Sequence, residues 1–503
     1  MNLAEERIPV IIGIGETVDR PSDTQEARHP AQLMADALRL AQEDAHVNVL
    51  QRLDSIDVVD VRCWGYKDLP GAVCHGVGIA PARQHHTAIG GDVPIRSLRE
   101  MAQAITEGRS RAAALCGGEA AASVQRASRA KASLPWPTQD VPPRSTPWHE
   151  FLHPRAVALE LVQPLHVYPL YENACRASWG QTFSEAQRES AELLSRMSRI
   201  AASNPTAWIQ EPRSAEQIAV ISPDNRPVAW PYTKLMVANP QVNQGSALLM
   251  TSLAEARRLG VSQDRLIFVW GGVGASEARD YVSRDRLDRS TAMEAVLGAA
   301  GQALANVKTG ARFVDLYSCF PCVPKMARRV LNLDLDQAAG VTGGLTFFGA
   351  PLSNYMGHST NAMVRALRRT TESAAGLLYG QGEHVTKHQA LVLGNELPPS
   401  EFQLADDQTV AQSAAQARGP SPTILDDFQG PANVETYTAM FGRDGEPERG
   451  VVVVRTDEGS RVLIAVPREQ DDTLRSLLDT DSELVGRRGH VERDSVGTLR
   501  WRF

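Results

Sequence analysis

Hydrophobic runs alternate with amphipathic helical patterns over the first 119 residues of the chain. Apolar runs at residues 8–14, 56–61 and 112–119 have the length and composition of buried strands. Between them, residues 30–45 and 95–107 carry apolar side chains at helical spacing. This alternation predicts a mainly parallel sheet that is covered by helices on both faces.

The alternation stops between about residues 120 and 263, where proline, tryptophan and long polar helical patterns such as residues 184–202 prevail. We interpret this stretch as an insertion into the α/β pattern. Its last part, residues 242–247, is rich in small side chains and is predicted to lead into a helix over residues 247–259.

A second alternating half begins at Leu266. It has a helical pattern over residues 291–307 ahead of an apolar run that starts at Phe313, in the same order as the first half. The run at residues 375–383 is similar to the run at residues 112–119. Two such halves indicate an internal duplication, with a ligand cleft where the loops of both halves meet. The alternative to a duplication is that any two α/β halves have similar patterns, and this alternative stays open.

The composition changes after Glu396 to a polar, alanine-rich segment and then to short runs typical of strands. These runs, with a helix near residues 473–478, predict a small β-barrel. The predicted units are residues 1–119 (first half), 120–263 (insertion), 264–397 (second half), 398–422 (linker) and 423–503 (C-terminal barrel).

Composition and charge narrow the classes of partner. The chain has 503 residues, 43% of them hydrophobic and 22% charged, and its net charge of −7 includes no basic block. We expect neither nucleic acid nor an anionic membrane as a partner. From Ile424 onward sixteen acidic residues face eleven arginines and no lysine, which also disfavours nucleic acid. With no apolar run of membrane-spanning length, the chain is predicted to be cytoplasmic.

The six cysteines are too sparse for a disulfide framework. Cys319 and Cys322 form a C-x-x-C pair, which we interpret as buried thiols in preference to a zinc or redox site, and we expect no metal.

Residues 343–358 form a loop rich in small side chains, G-G-L-T-F-F-G-A-P-L-S-N-Y-M-G-H. Its glycines, Gly343, Gly344 and Gly349, permit positive φ and a close approach by a ligand. A tight turn that has no role in ligand binding explains the same glycines, and both interpretations stay open.

Three ordered motifs carry a family resemblance. Residues 96–120 (R-S-L-R-E-M to C-G-G-E-A), V-D-L-Y-S-C-F-P from Val314 and G-G-L-T-F-F-G-A-P-L from Gly343 together resemble the thiolase superfamily. The chain is most similar to the sterol carrier protein thiolase branch and its thiolase-like proteins of type 1, which have an additional C-terminal domain. The resemblance implies a duplicated thiolase fold layered αβαβα, a loop-domain insertion that holds coenzyme A and a C-terminal OB-like domain.

The resemblance also implies that the usual thiolase groups have been replaced. The nucleophilic cysteine of the family aligns with Gly90, Gly91 and Asp92, and the activating histidine aligns with Ala350. The acid/base cysteine aligns with Gly380, and the asparagine or histidine of the remaining motif aligns with Tyr317. Thiolysis or Claisen condensation through an acyl-cysteine is therefore doubtful.

Candidate catalytic residues remain on the same loops: Tyr317, Asn354 and His358. Two structural alternatives stay open. His358 can cap a helix over residues 361–369, and Tyr317 can simply fill the cavity. The candidate substrate-binding positions are Gly90, Gly91, Gly343, Gly344, Gly349, Ala350 and Gly380.

The resemblance implies an acyltransferase-class protein of lipid metabolism that acts on or binds acyl-CoA thioesters. Coenzyme A is expected as substrate or ligand, with no tightly bound cofactor, and a homodimer is possible. Two alternatives stay open: retro-aldol cleavage of a β-hydroxyacyl-CoA by Tyr317 and His358, and non-catalytic binding of CoA or a lipid thioester. The C-terminal domain is expected to close over the cleft or to dock on another subunit.

Overall fold

The computed structural model describes residues 4–139, 141–308, 310–495 and 497–503. Sixteen strands are found in this part of the chain, nine of them in one large sheet. They are β1 (Pro9–Val18), β2 (Ser55–Val58), β3 (Arg83–His86), β4 (Ala112–Ala120), β5 (Pro227–Ala229), β6 (Tyr232–Thr233), β7 (Asn243–Ser252), β8 (Ile267–Ser276), β9 (Ala311–Leu316), β10 (Ala374–Gly382), β11 (Lys387–Gly394), β12 (Gly430–Phe441), β13 (Pro447–Thr456), β14 (Arg461–Pro467), β15 (Arg488–Arg493) and β16 (Leu499–Arg502).

The α-helices lie between these strands, and the two longest that do not alternate with strands, α6 and α7, belong to the insertion. In chain order the helices are α1 (Pro30–Ala45), α2 (Leu69–Val77), α3 (Val93–Thr106), α4 (Ala121–Ala130), α5 (Pro154–Ala158), α6 (Pro164–Ser178), α7 (Phe183–Ser203), α8 (Ala215–Ala219), α9 (Leu253–Leu259), α10 (Thr291–Ala305), α11 (Cys322–Val330), α12 (Tyr355–Arg369), α13 (Asp407–Ala417) and α14 (Asp471–Ser476).

The large sheet consists of two halves with the same strand order. The order is β3-β2-β4-β7-β1-β8-β11-β10-β9, and the halves meet where β1 pairs antiparallel with β8. From that seam outward the first half continues with β7, β4 and β2, and the second half with β11, β10 and β9. Both strands at the seam have a bulge at their fourth residue, Ile12 in β1 and Trp270 in β8. A shared order and a shared bulge are what an internal duplication requires.

The prediction of a mainly parallel sheet is wrong. Of the eight neighbouring strand pairs in the described sheet, only β3·β2, β2·β4 and β10·β9 are parallel. The last strand of each half, β7 or β11, runs antiparallel to both of its neighbours. Strand β11 follows β10 through a tight turn, and a tight turn joins only antiparallel strands.

The helix predicted over residues 247–259 is also wrong in its first half. Strand β7 continues to Ser252, and only α9 follows it. Every residue of β7 is buried because the strand lies between β4 and β1. A run that is apolar on both faces has no periodicity that separates a strand from a helix.

The helices form layers around the two halves of the sheet. Helix α1 packs on β1, β4 and β7 of the first half, whereas α10 packs on β8, β10 and β11 of the second. Helices α3 and α12 pack on each other and on strands of both halves. The arrangement is a layered α/β fold. No helix in the described ranges is both long and apolar enough to cross a bilayer.

A row of polar side chains on α12 binds this helix to the first half. His358 Nδ1 lies 2.5 Å from Glu16 Oε1 on β1, and Arg365 also pairs with Glu16. One turn after His358, Asn361 donates to the carbonyl of Gly15 at 2.9 Å. Spacings of three, four and seven residues place these side chains on one face of a helix. We call this row (His358, Asn361, Arg365) the polar row of α12.

The C-terminal strands form a separate antiparallel sheet in the order β14-β13-β12-β15-β16. It has its own apolar core around Trp501 and Tyr437. The two outer strands, β14 and β16, share no ladder among the described residues, so the OB-like barrel stays a prediction, whereas a β-rich C-terminal domain is observed. The segment predicted as a linker contains α13, which packs on α10 and β8.

Helix α6 connects the C-terminal domain to the insertion. Thr436 of β12 donates to the carbonyl of Leu170 at 2.5 Å, and Asn173 of α6 donates to the carbonyl of Tyr437 at 2.9 Å. The domain therefore packs on the insertion helix.

A buried ion pair fixes the other side of α6. Lys325 of α11 pairs with Glu172 of α6 and donates to Ser190 of α7 at 2.9 Å. Tyr232 donates to the second oxygen of Glu172 at 2.7 Å. Both charges are fully buried, so each depends on its partner for compensation.

We expect Lys325→Met to lower the free energy of unfolding by about 3 to 5 kcal/mol, because it leaves the Glu172 carboxylate buried without a cation. Chemical denaturation measures this change. Arg475→Met removes one partner of the exposed Arg475–Asp471 pair and serves as the control, with no resolvable change expected. Equal losses in the two variants, or no recovery in Lys325→Met/Glu172→Gln, contradict the prediction.

Candidate functional site

A cavity of about 440 Å³ lies where loops of both halves of the fold meet. Its wall contains residues that follow β3, β9 and β10, the end of the glycine loop, and the first turns of α6. Most of the wall is apolar, with contributions from Leu165, Val237, Phe320 and Leu345. A larger cleft of about 1070 Å³ between α3 and β8 has a strongly charged lining and contains none of the predicted site residues.

Four of the predicted site residues line the cavity together: Gly90, Gly91, Tyr317 and Ala350. They come from three separate loops of the chain, two of them in the second half. The positions that the family resemblance assigned to the nucleophile and its base thus face one space, without the thiol and the imidazole.

Tyr317 follows the last residue of β9 and is held at its backbone by a bond from its N–H to the carbonyl of Tyr379 at 3.0 Å. Its hydroxyl lies against Gly91, where a Cβ would overlap it. Burial, with smaller effects of Cys319 and Asp92, raises the pKa of Tyr317 well above its usual range. Tyr317 is therefore a neutral phenol at physiological pH, able to donate a hydrogen bond to a carbonyl oxygen.

Cys319 is the thiol on the cavity wall. Gln381 donates to Cys319 Sγ at 3.4 Å and to the Tyr168 hydroxyl at 2.8 Å. Burial raises the pKa of Cys319 to about 12. Because the thiolate is the nucleophilic form, Cys319 cannot take the place of the missing cysteine at neutral pH. Cys322 is free and buried outside the cavity.

His358 does not reach the cavity. It lies in the first turn of α12, which begins at Tyr355 and not at residue 361 as predicted, so its ring faces Glu16 on β1. The Phe348 ring packs on it at 5.1 Å, and Tyr355 stands between Phe348 and Tyr317. Phe348 and Tyr355 thus form a chain of ring contacts between His358 and Tyr317.

Asn354 also lies outside the cavity lining. It precedes α12 and donates to the Ser246 hydroxyl of β7 at 3.0 Å. In this position it contacts the sheet rather than the space beside Tyr317.

The remaining predicted glycines make close contacts between backbone segments. Gly343 and Gly344 have φ values of 118° and 74° and lie against Ala201 and Met197 of α7. Gly349, with φ of 114°, lies close to the Gln244 side chain. Gly380 lies close to the Gly91 carbonyl and does not line the cavity. The structure thus favours the tight-turn interpretation for the first three.

The turn between β10 and β11 carries a wall residue whose role the sequence does not reveal. Glu383, His384 and Val385 have positive φ values of 47°, 58° and 61° without a glycine among them. Each such residue costs on the order of 1–2 kcal/mol. Strain of this size is typical of positions that the surrounding structure, and often function, determines. The sequence does not predict these positive φ values, because the turn has neither Gly nor Asn at these positions.

His384 itself lines the cavity with its ring stacked on Trp148, the centroids 4.5 Å apart. Burial lowers the pKa of His384 to about 3, so the ring is neutral at physiological pH. Neither ring nitrogen has a hydrogen-bond partner among the described residues, and both are covered.

The loop after β2 supplies a second unpredicted wall residue, Arg62. Glu119, at the end of β4, accepts hydrogen bonds from the backbone N–H of Arg62 at 2.6 Å and of Cys63 at 3.1 Å. Burial raises the pKa of Glu119 to about 7. The described residues contain no group of three or more His, Cys, Asp or Glu side chains placed to hold a metal ion.

The C-terminal domain does not line the cavity, since every wall residue precedes Val385. Its contact is indirect, because α6 packs on β12 and also contributes Tyr168 to the wall.

Comparisons with known proteins agree with this architecture. Residues 412–496 match the family model of the thiolase-like protein type 1 additional C-terminal domain. A monomeric SCP2-thiolase like protein type 1 from Mycobacterium smegmatis is 25% identical, with a TM-score of 0.81 over 99% of both chains. No curated protein sequence matches the chain significantly.

Two more distant solved structures share the fold alone. Human mitochondrial 3-ketoacyl-CoA thiolase in complex with CoA is 15% identical, with a TM-score of 0.56 over 78% of this chain and 99% of that one. An Ltp2-ChsH2(DUF35) aldolase is 18% identical, with a TM-score of 0.56 over 77% of this chain and 98% of that one.

We expect Cys319 to resist alkylation in the native protein. A pKa of about 12 instead of about 9 lowers the thiolate fraction roughly a thousandfold at neutral pH. Iodoacetamide labelling at pH 7.5 with peptide mass analysis tests this, with the urea-unfolded protein as the fully reactive reference. Rapid labelling of Cys319 in the folded protein would falsify the assignment of an inert thiol.

Glu119 makes a defined contribution to the pH dependence of stability. Its folded pKa of about 7 lies above its usual value of 4.5, so the fold favours the protonated carboxyl. Stability is therefore lost as the pH rises from 4.5 to 7, by up to roughly 3 kcal/mol. Glutamine does not ionise, so we expect the free energy of unfolding of Glu119→Gln to increase by that amount, relative to that of the unchanged protein, between pH 4.5 and pH 7. Denaturant titrations over this pH interval measure the difference. Glu100→Gln, at an exposed carboxyl, is the control, and a pH-independent difference for Glu119→Gln contradicts the prediction.

Proposed function

We propose that this chain, a thiolase-superfamily protein with the additional C-terminal domain of the type 1 thiolase-like proteins, binds an acyl-CoA thioester without forming an acyl-cysteine. The observation that carries the proposal is the apolar cavity at Gly90, Gly91, Tyr317 and Ala350. It keeps an open space at the positions that the thiolase resemblance assigns to catalysis, and that space has lost its nucleophile.

The size and lining of the cavity suit the thioester end of such a ligand. Its volume of about 440 Å³ falls within the range of small-molecule sites, which are mostly apolar with a few polar groups. The Tyr317 hydroxyl supplies a donor for the thioester carbonyl, beside Gly91. The side chains Leu165, Val237 and Phe320 give an acyl chain an apolar surface.

The cavity wall lacks both groups that acyl transfer through a cysteine requires, the nucleophilic thiol and the activating imidazole. The Gly90–Gly91 segment has no side chain, and Ala350 offers only a methyl group in place of the activating imidazole. Cys319 remains a thiol at neutral pH because of its burial. A ligand that enters the cavity therefore meets a hydrogen-bond donor but no nucleophile.

Retro-aldol cleavage of a β-hydroxyacyl-CoA is the second candidate, and the position of Tyr317 on the wall favours it. In this reaction a base takes the proton of the β-hydroxyl group, the Cα–Cβ bond breaks to release a carbonyl product, and the thioester enolate gains a proton at Cα. Tyr317 suits the donor role as a neutral phenol.

The base for that reaction is harder to place. His358, which the sequence suggested, is bound to Glu16 and does not line the cavity. His384 has a neutral ring on the wall, but both of its nitrogens are covered in a cluster with Trp148, Tyr168 and Tyr281, so neither nitrogen is exposed to a ligand. Binding needs no base, and we therefore place it first.

Two further expectations stay proposals. The C-terminal domain supports α6, and through it the cavity wall, rather than closing over the cleft. A homodimer of this chain is untested, and the similar Mycobacterium smegmatis protein is monomeric.

Calorimetric titration with CoA, acetyl-CoA and a longer β-hydroxyacyl-CoA, followed by mass analysis, tests the proposal. We expect saturable binding of the acyl thioesters, no acylated protein and no cleavage. Tyr317→Phe removes one hydrogen bond to the ligand and should weaken binding roughly three- to tenfold, or by about 0.5–1.5 kcal/mol. Tyr437→Phe, a buried tyrosine of the C-terminal domain, is the matched control.

The outcomes separate the candidate functions. If the protein cleaves the β-hydroxyacyl-CoA and Tyr317→Phe abolishes this cleavage, the function is the retro-aldol reaction and not binding alone. An acyl group on Cys319, or no binding of any thioester at millimolar concentration, rejects the proposal.

A further inference from the structure

Only two charged side chains among the described residues line the cavity, Arg62 and Glu383. Glu383 is already compensated, by a two-point pair with Arg279 at 2.7 and 3.0 Å and by Lys387 at 2.6 Å. Arg62 forms no ion pair within the described ranges. The wall therefore carries one positive charge that no carboxylate of the wall neutralises.

The Arg62 side chain is held in place at one end. Its Nε donates to the carbonyl of Arg144 at 2.9 Å, and Arg144 is itself fixed by Asp60 at 2.9 Å and by the carbonyl of Thr87 at 2.8 Å. Glu119 fixes the backbone N–H of Arg62. The two terminal nitrogens of the guanidinium group have no partner among the described residues, so they remain available to a ligand.

A planar guanidinium fork with free terminal nitrogens is suited to two parallel hydrogen bonds with a carboxylate or a phosphate. Such bonds are strongest where apolar surroundings exclude water, and most of this wall is apolar. A neutral polar group binds the guanidinium group less strongly, because it carries no negative charge.

We propose that Arg62 is an anion-binding position of the cavity, so that the physiological ligand carries a carboxylate or phosphate group that reaches it. This inference rests on the proposed binding of a thioester in the same cavity and specifies that ligand further. The anion has two chemical sources, an acidic group on the acyl chain or a phosphate of the CoA part.

Three thioesters with the same chain length distinguish these sources. The first is a neutral acyl-pantetheine thioester, the second carries a carboxylate at the end of its acyl chain, and the third is the unmodified acyl-CoA. Binding constants are measured by calorimetry for the unchanged protein and for Arg62→Gln, Arg62→Lys and Lys67→Gln. Lys67→Gln removes one positive charge from the same loop at an exposed position outside the wall, and is the matched control.

We expect Arg62→Gln to weaken binding of at least one anionic ligand about 10- to 100-fold, the range of a charge-assisted hydrogen bond, and to leave the neutral thioester unaffected. Arg62→Lys keeps the charge but not the fork, so it should recover only part of the loss. A loss for the terminal carboxylate assigns the anion to the acyl chain, whereas a loss for acyl-CoA alone assigns it to a phosphate.

Other results overturn the inference or the proposed function separately. If Arg62→Gln changes the three ligands equally, or Lys67→Gln has the same effect, the anion position is rejected while thioester binding stands. If the unchanged protein binds the free dicarboxylic acid of the same chain length in an Arg62-dependent way but binds none of the three thioesters, the anion position stands and thioester recognition is rejected. Circular dichroism of each variant confirms that it is folded.

Discussion

The polar row of α12 is a buried contact that, together with the β1–β8 seam, fixes the relative position of the two halves. His358 and Arg365 both bind Glu16, and Asn361 binds the backbone of the same strand. All of these groups are buried or partly buried, so a break in the row would leave charges and amides without partners. The row holds the helix of one half on the strand of the other, and the glycine loop that precedes this helix contributes Leu345 and Ala350 to the cavity wall.

The cavity wall contains residues that constrain one another. Gly91 and Tyr317 depend on each other, because the tyrosine hydroxyl occupies the volume that any side chain at position 91 would need. The remaining thiol, Cys319, is protonated by burial and held by Gln381. The wall thus combines a neutral donor, a single arginine and apolar surface.

Support for this wall comes from parts of the chain that never touch it. Helix α6 carries Tyr168 on the wall, while Glu172 pairs with Lys325 of α11 and Asn173 binds the C-terminal sheet. The additional domain thus packs on the helix that carries Tyr168 to the wall, without lining the cavity itself.

The sequence by itself determined the alternation of strands and helices in the two halves and the meeting of Gly90, Gly91, Tyr317 and Ala350, because local patterns and ordered motifs carry that information. Only the tertiary structure decided the directions of β7 and β11, the burial of His358 against Glu16, the left-handed turn at His384 and the free guanidinium of Arg62. Each of these features depends on partners far away in the chain: Glu16 is 342 residues from His358, and Arg144 is 82 residues from Arg62. No local periodicity records such partners, so packing alone settles which polar side chains face the cavity and which hold the two halves together.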